Sequence, residues 1–111
     1  MKKWNPISLA ELSEGIQVAI TKMTKPEKRL WDLISITPSK WIQHPWGDEG
    51  GGFWVVAIWG NNCLYYNDIE EGYNTSGFKE YGTIEEYWCN QDELQWVILR
   101  ILNEINAEQD N

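Results

Sequence analysis

The sequence predicts an α+β domain, an antiparallel β-sheet of about four strands packed with two N-terminal helices and one C-terminal helix. Three observations carry that prediction. Apolar residues recur at helical spacing near both ends of the chain. Phe53–Trp59 is an aromatic and β-branched run bounded by glycines, and Gly60, Asn61 and Asn62 follow it as a tight hairpin turn. The order, helices then strands then a helix, suits an antiparallel sheet rather than a parallel βαβ array.

The first helix is expected at about residues 8–22. Ser8 and Glu11 are spaced as a capping box, and Ile7 and Leu12 stand at the hydrophobic-staple positions around it. Leu9, Leu12, Ile16, Ala19, Ile20 and Met23 then form one apolar stripe. A second helix starts at residues 24–27, with Pro26 in the first turn where its missing N–H costs nothing. Leu30, Trp31 and Ile34 give it a buried side, and Thr37 before Pro38 marks its end.

The middle of the chain reads as β. Residues 40–43 alternate weakly, and Phe53–Trp59 is the central strand, with Trp54, Val56 and Ile58 on one face and Phe53, Val55, Ala57 and Trp59 on the other. Apolar character on both faces requires cover on both sides, from this chain or from a second copy, which leaves a homodimer open. Residues 63–67 return antiparallel, and residues 73–81 and 83–88 read as further short strands. For the last helix, Asn90 is the expected cap with Glu93 at N3 and Asp92 between them. Leu94, Val97, Ile98, Ile101, Leu102 and Ile105 give it a continuous apolar face, and a disordered tail is expected from about residue 107. Residues 1–111 therefore read as one domain, the natural count for a chain of 111 residues.

Composition narrows the function classes. Leu, Ile, Val and Phe make up 26 of the 111 residues, above the roughly 20 % floor below which a charged chain stays disordered. Seventeen acidic against nine basic side chains leave a formal charge of −8. That balance argues against nucleic acid and anionic membrane as partners. Phe53–Trp59 is the longest unbroken apolar run at seven residues, far short of the roughly 20 of a membrane helix. Lys2 and Lys3 open as a signal peptide would, but Asn5, Pro6, Glu11 and Glu14 stand where an apolar core would follow, so a cytoplasmic domain is expected. The charge is also split. Residues 1–40 carry seven basic and four acidic side chains, a net of +3, and residues 41–111 carry two and thirteen, a net of −11. Such asymmetry marks a face for a cationic partner, although a solvated acidic surface that keeps the chain soluble produces the same numbers.

Catalytic signatures are weak. Cys63 and Cys89, without an oxidising compartment to pair them, read as free thiols. Cys63 is a small hydrophobe in a strand, and Cys89 is placed to staple against Leu94. A Cys89–His44 nucleophilic pair lacks an orienting third group. One histidine and two distant cysteines do not make a structural zinc site, and Asp68, Glu70 and Glu71 lack the ligand spacing of a calcium loop. The adjacent carboxylates Asp48 and Glu49, Glu70 and Glu71, Glu85 and Glu86 point to opposite faces in extended chain. A glycosidase pair would have to combine different segments. Gly47, Gly50, Gly51 and Gly52 lack the Gly-Lys-Ser/Thr ending of a phosphate loop, and Asp48 and Glu49 would repel a phosphate. No cofactor and no metal is expected, and binding is favoured over enzymatic activity.

Tryptophan is the unusual feature, with eight residues against two phenylalanines. Trp31 and one of Trp54 or Trp59 are expected in the core, and a core this small does not bury all eight. Trp46, Asp48 and Glu49 on one loop, and Tyr66, Asn67, Asp68, Glu70 and Glu71 on another, place aromatic anchors among carboxylates, the composition of an interface for a protein with a basic surface. The same aromatics would stack on sugar rings, with Asn67, Asn74 and Asp68 binding hydroxyls, so a carbohydrate or small-ligand domain is the alternative. Rings that only complete the core, with solvated acids around them, are the structural reading of the same residues.

The runs Trp-Gly-Asp-Glu-Gly at 46–50 and Tyr-Asn-Asp-Ile-Glu-Glu-Gly at 66–72 give the chain its resemblance to small uncharacterised bacterial proteins. In size, acidity and aromatic content it also resembles the immunity proteins that neutralise toxins. That likeness implies an inhibitor acting by occlusion and transfers no functional residues.

Overall fold

A computed structural model describes residues 4–109. The elements in chain order are α1 (Leu9–Thr21), α2 (Lys25–Ile34), β1 (Ser35–Trp41), β2 (Phe53–Trp59), β3 (Asn62–Asn67), β4 (Gly72–Gly77) and α3 (Leu94–Gln109). The four strands form one antiparallel sheet in the order β1-β2-β3-β4. This is the α+β arrangement expected, with two N-terminal helices and one C-terminal helix.

The N-terminal helices start where their caps dictate. Ser8 Oγ accepts the Glu11 N–H at 3.1 Å and the Glu11 carboxylate accepts the Ser8 N–H at 3.3 Å, completing the capping box. Thr24 caps α2 through its hydroxyl alone, accepting from the Glu27 N–H at 3.4 Å, with Pro26 in the first turn. The second helix ends earlier than its sequence suggests, at Ile34 rather than at Thr37, and the chain enters β1 at once. Pro38 therefore lies inside a strand. The strand is at the sheet edge, and the register slips between Ser35↔Ala57 and Ser39↔Val55, so the residue without an N–H falls where the ladder is interrupted.

A second irregularity decides which side chains meet which core. Between Val55↔Tyr65 and Ala57↔Leu64, β2 advances two residues while β3 advances one. The bulge at Val56 reverses the alternation. Val56, Ala57 and Leu64 share the helix-side core, whereas Phe53, Val55, Cys63 and Tyr65 belong to the opposite face. Ala57 and Trp59, expected beside Phe53 and Val55, turn instead toward the helices, and Ile58 turns away from them. The helix-side core is filled by Leu12, Ile16 and Ala19 of α1, Leu30, Trp31 and Ile34 of α2, and Leu94, Val97, Ile98 and Ile101 of α3. At the β2–β3 turn, Gly60 has φ +57° in the two-residue loop closed by Trp59↔Asn62, a conformation open to glycine without a Cβ penalty.

The second face is covered by the chain itself. Residues 78–92, part of which reads as a strand in sequence, cross the sheet as an irregular strap. The strap leaves the end of β1 through Ile42 N–H to Gly82 O at 2.9 Å and Ile84 N–H to Ile42 O at 2.8 Å. It reaches β4 through Tyr73 N–H to Asp92 O at 2.9 Å. Between these anchors its partners are side chains. Tyr65 Oη accepts the Trp88 N–H at 2.8 Å and donates to Glu86 O at 3.1 Å. Ser76 Oγ accepts the Glu86 N–H at 2.9 Å. Asn74 accepts the Asn90 N–H at 3.0 Å and donates to Asn90 O at 3.1 Å, and Asn67 donates to Trp88 O at 2.9 Å. Residues 83–88, expected as a strand, do turn the N–H groups of 86 and 88 to the sheet, but these bond to its face and not to an edge. Gly72 permits the approach, since a Cβ there would overlap Asn90 O and Gln91 Cα.

The start of α3 differs for the same reason. Asn90 is held by Asn74 and does not cap the helix. The first helical bond runs from Val97 N–H to Glu93 O at 3.2 Å, so Glu93 occupies the cap position expected of Asn90. Cys89 is exposed and makes no staple, while Cys63 is fully buried, its thiol pushed up to about 12 by burial, and both are free. The C-terminal helix continues through Gln109, past the expected onset of a tail at 107, because neither Ala107 nor Glu108 breaks a helix. Among the tryptophans, Trp31 is buried as expected, but the most enclosed is Trp41 at 1 % exposure, against Phe78 and Tyr81 on the strap side.

Replacing Tyr65 by Phe removes the hydroxyl that serves both Glu86 and Trp88. Leaving the Trp88 N–H without its partner is expected to lower stability by about 1–3 kcal/mol. Urea unfolding measures the loss, and hydrogen exchange is expected to localise it to the amides of Glu86, Trp88 and Asn90.

Candidate functional site

The loop before β2 and the loop after β3 lie at the same end of the sheet, because Trp54 pairs with Tyr66. The N-terminal segment connects them. Trp4 Nε1 donates to Asp68 O at 3.3 Å, the Ile7 N–H donates to Asp68 Oδ2 at 2.7 Å, and a Cβ on Gly50 would stand 3.0 Å from the Trp4 ring. Trp54 Nε1 in turn donates to Ile7 O at 3.2 Å.

Seen at this end, the residues singled out in the sequence divide into separate roles. Trp46 is 54 % exposed and stacks on Tyr87 of the strap with ring centroids 5.0 Å apart. Asp48 faces His44 at 2.7 Å, and Glu49 is exposed. Tyr66 lies on the opposite, helix-side face, 4.8 Å from Tyr73. Asn67, expected at the partner surface, is fully buried and builds the fold. Its Oδ1 accepts the Ile69 N–H at 3.1 Å and the Glu70 N–H at 3.3 Å, and its Nδ2 holds the strap. Asp68 is committed to Ile7. Glu70 and Glu71 border solvent, and Glu71 adopts φ +58°, a left-handed conformation that costs a non-glycine residue about 1–2 kcal/mol.

Tyr66 and Glu71 belong to a groove of about 580 Å³ between α1, the β3–β4 turn and the start of α3. Its floor is Leu12, Ala19, Tyr66, Tyr73 and Leu94, and its walls carry Glu11, Glu14, Glu71, Asp92 and Glu93. Lys22 is the one basic side chain lining it, and its ammonium meets Glu93 at 3.3 Å. Arg100 approaches Asp92 at 2.7 Å. Among the described residues, no Lys or Arg stands in salt-bridge contact with Glu11, Glu14 or Glu71. Burial, followed by the charges of Glu71 and Asp68, raises the Tyr66 hydroxyl, and burial with Tyr66 beside it raises Tyr73. Both floor hydroxyls therefore stay neutral at physiological pH.

Gln95 closes the groove at α3. It is 8 % exposed, and its Nε2 donates to Glu93 Oε1 at 3.0 Å. Its Oε1 is the one buried side-chain polar atom without a partner among the described residues. Facing a carboxylate, the amide has to present its NH2 to Glu93, so the unpaired atom is an acceptor. Leaving it bare costs about 1–3 kcal/mol.

The sequence reading missed Glu11, Glu14, Tyr73 and Gln95 as site residues. They sit on three elements, and only α1 gave a signal, its capping box, which assigned Glu11 a structural task. A second groove of about 390 Å³ runs beside the strap, lined by Asn62, Thr75, Glu86, Asn90 and Arg100 with the half-exposed ring of Trp88. Among the described residues no three His, Cys, Asp or Glu side chains converge as a metal site, and no helix is long and apolar enough to cross a membrane. No protein-family model, no curated protein and no solved structure matches the chain.

Glu93 is held below the usual carboxylate range by the hydrogen bond from Gln95 and then by Lys22. A lowered native value means its stabilisation is complete above the ordinary value of 4.5 and is lost as pH falls toward the native one. The variant Glu93→Gln is expected to show a shallower loss of stability below pH 4.5 than the parent, read from melting temperatures across that window.

Proposed function

We propose that the protein acts by binding and not by catalysis, presenting its acidic groove and the adjoining turn to a protein partner with a basic surface. The observation that carries this reading is the groove itself, where five carboxylates face one lysine above two tyrosine rings. Aromatic floor supplies contact area and fixed negative charge supplies steering, the division of labour in fast protein–protein association. In its finer form the reading is an immunity-type inhibitor that covers a basic toxin, with a cytoplasmic location in keeping with two free thiols. An interface of about 800 Å² per partner fits on a chain of this size.

The experiment is capture from the native lysate at low and high salt, followed by kinetics on the captured basic protein. The variant Glu70→Lys with Glu71→Lys is expected to slow association about tenfold and flatten its salt dependence. Unchanged association in that variant removes this surface from the interface.

The second groove favours one other reading. Trp88 stands half-exposed beside the amides of Asn62 and Asn90, the hydroxyl of Thr75 and the Arg100 guanidinium, a platform and hydrogen-bonding set suited to a sugar ring. A carbohydrate ligand is expected to change tryptophan fluorescence independently of salt, and Trp88→Ala is expected to abolish the change.

A further inference from the structure

We infer that the outer edge of β4 is the seam of a symmetric dimer, in which a second copy of this chain pairs its own β4 antiparallel, Thr75 opposite Gly77, and joins two four-stranded sheets into one. This goes beyond the readings of the two grooves. It concerns the edge of the sheet, not the faces that the helices and the strap already cover.

Two bonds fix the direction in which β4 aims its backbone. The Tyr73 N–H leaves the sheet to reach Asp92 O at 2.9 Å, and the Gly77 N–H leaves it to reach Glu86 Oε1 at 3.4 Å. In an antiparallel ladder alternate residues turn their N–H and C=O to opposite sides. Tyr73, Thr75 and Gly77 therefore face outward, while Gly72, Asn74 and Ser76 bond to β3. Asp92 fills the place opposite Tyr73. At Gly77 a carboxylate stands where a sheet would put a carbonyl, at more than the usual hydrogen-bond length. Thr75, between them, is half-buried, and its N–H and C=O have no partner among the described residues.

The two edges of the sheet differ. β1 carries Pro38 and a register slip, and its end is bonded to the strap at Gly82 and Ile84, devices that keep an edge from pairing. β4 has no proline, no charged side chain and an unbroken register. A Cβ on Gly77 would meet nothing nearer than Asn61 O at 3.8 Å, so the flank of the strand is clear there.

Register and charge select a second copy as the occupant. With Asp92 opposite Tyr73, an incoming strand has Thr75 and Gly77 to pair with. A two-fold axis at Ser76 sets each copy's Thr75 opposite the other's Gly77, and every bond is made twice. Beyond Gly77 the chain turns inward, the Phe78 N–H bonding to Asn61 O at 2.8 Å, so it does not run into Asp92. Glu86 lies at the Gly77 end of this edge, and Arg100, paired with Asp92 at 2.7 Å, lies at the Tyr73 end. The axis exchanges the ends, so the Glu86 carboxylate displaced from one Gly77 N–H faces the second copy's Arg100. An unrelated peptide offers no such reciprocity.

The test is sedimentation velocity of the full chain over a range of concentrations, with amide hydrogen exchange and an isotope-filtered NOE experiment on mixed labelled and unlabelled protein. A monomer–dimer equilibrium is expected, in which the Thr75 N–H exchanges more slowly as concentration rises. An NOE is expected between the Ser76 Hα atoms of labelled and unlabelled copies, the close contact of a non-hydrogen-bonded antiparallel pair. Thr75→Pro removes an outward N–H and keeps the bonds to β3, a place where an edge strand admits proline. It is expected to weaken the dimer about tenfold, whereas Thr75→Val keeps the N–H and is expected to dimerise as the parent does. Exchange and the NOE need no variant, so they decide the matter even if Thr75→Pro does not fold.

A chain that stays monomeric at millimolar concentration overturns the inference. So does a dimer that lacks the Ser76 contact, or one that a folded Thr75→Pro leaves undiminished. Binding of another protein's extended segment along this edge of an otherwise monomeric chain also overturns it and gives the edge to that partner.

Discussion

The structure depends on four polar side chains that hold a loop across a sheet. Tyr65, Asn67, Asn74 and Ser76 rise from the outer face of β3 and β4 and bond to the backbone of residues 86, 88 and 90. A sheet face buried under irregular chain presents a problem, because each buried N–H and C=O of the loop needs a partner that no ladder supplies. Here the side chains replace the ladder. With the strap in place, Phe53, Val55 and Cys63 are sealed from water on a face that the helices do not reach. The cover that the sequence left open between this chain and a second copy comes from this chain.

The bulge at Val56 is the complementary device. Without it, strict alternation would send Ala57 and Trp59 to the strap side, whereas the reversed phase gives the helices a wider apolar surface to pack on. Packing α1 and α3 on that surface leaves them apart at one end, and the gap is the acidic groove. Its tyrosine floor is a cross-strand pair, Tyr66↔Tyr73, at the end of the sheet where the N-terminal segment is tied down by Asp68. Fold and candidate site thus meet in one place, since the Asp68 that anchors residues 4–7 is in the same turn as the Glu71 that lines the groove.

Electrostatically the groove is lopsided by construction. Helix starts favour carboxylates, so Asp92 and Glu93 before α3 and Glu11 in the first turn of α1 are where the dipoles stabilise them. Those three have tasks in the fold, through Arg100, Lys22 and Ser8. Glu14 and Glu71 contribute charge to the groove without such a partner among the described residues, and Glu71 does so from a strained conformation. The exposed aromatics, Trp46 on the loop before β2, Tyr81 and Trp88 on the strap and Trp96 on α3, are spread over the surface and do not gather into the groove.

Local chemistry determined the parts that were legible. The capping box at Ser8, the helix start at Thr24 with Pro26 behind it, the period of the apolar stripe in α3, and the glycine-bounded run of β2 each depend on neighbours within a few residues, so one sequence suffices to read them. The limits of α2 and β1, the burial of Trp41, the cap of α3 and the fate of residues 83–88 were decided by contacts between distant segments. A strand and a face-bound strap share the same alternation and differ only in what accepts their hydrogen bonds. The candidate site follows the same division. The sequence singled out Tyr66 and Glu71 from a dense local cluster, but Glu14, Tyr73 and Gln95 became neighbours of that cluster only through packing, and the bare acceptor of Gln95 exists only because tertiary structure took it out of water.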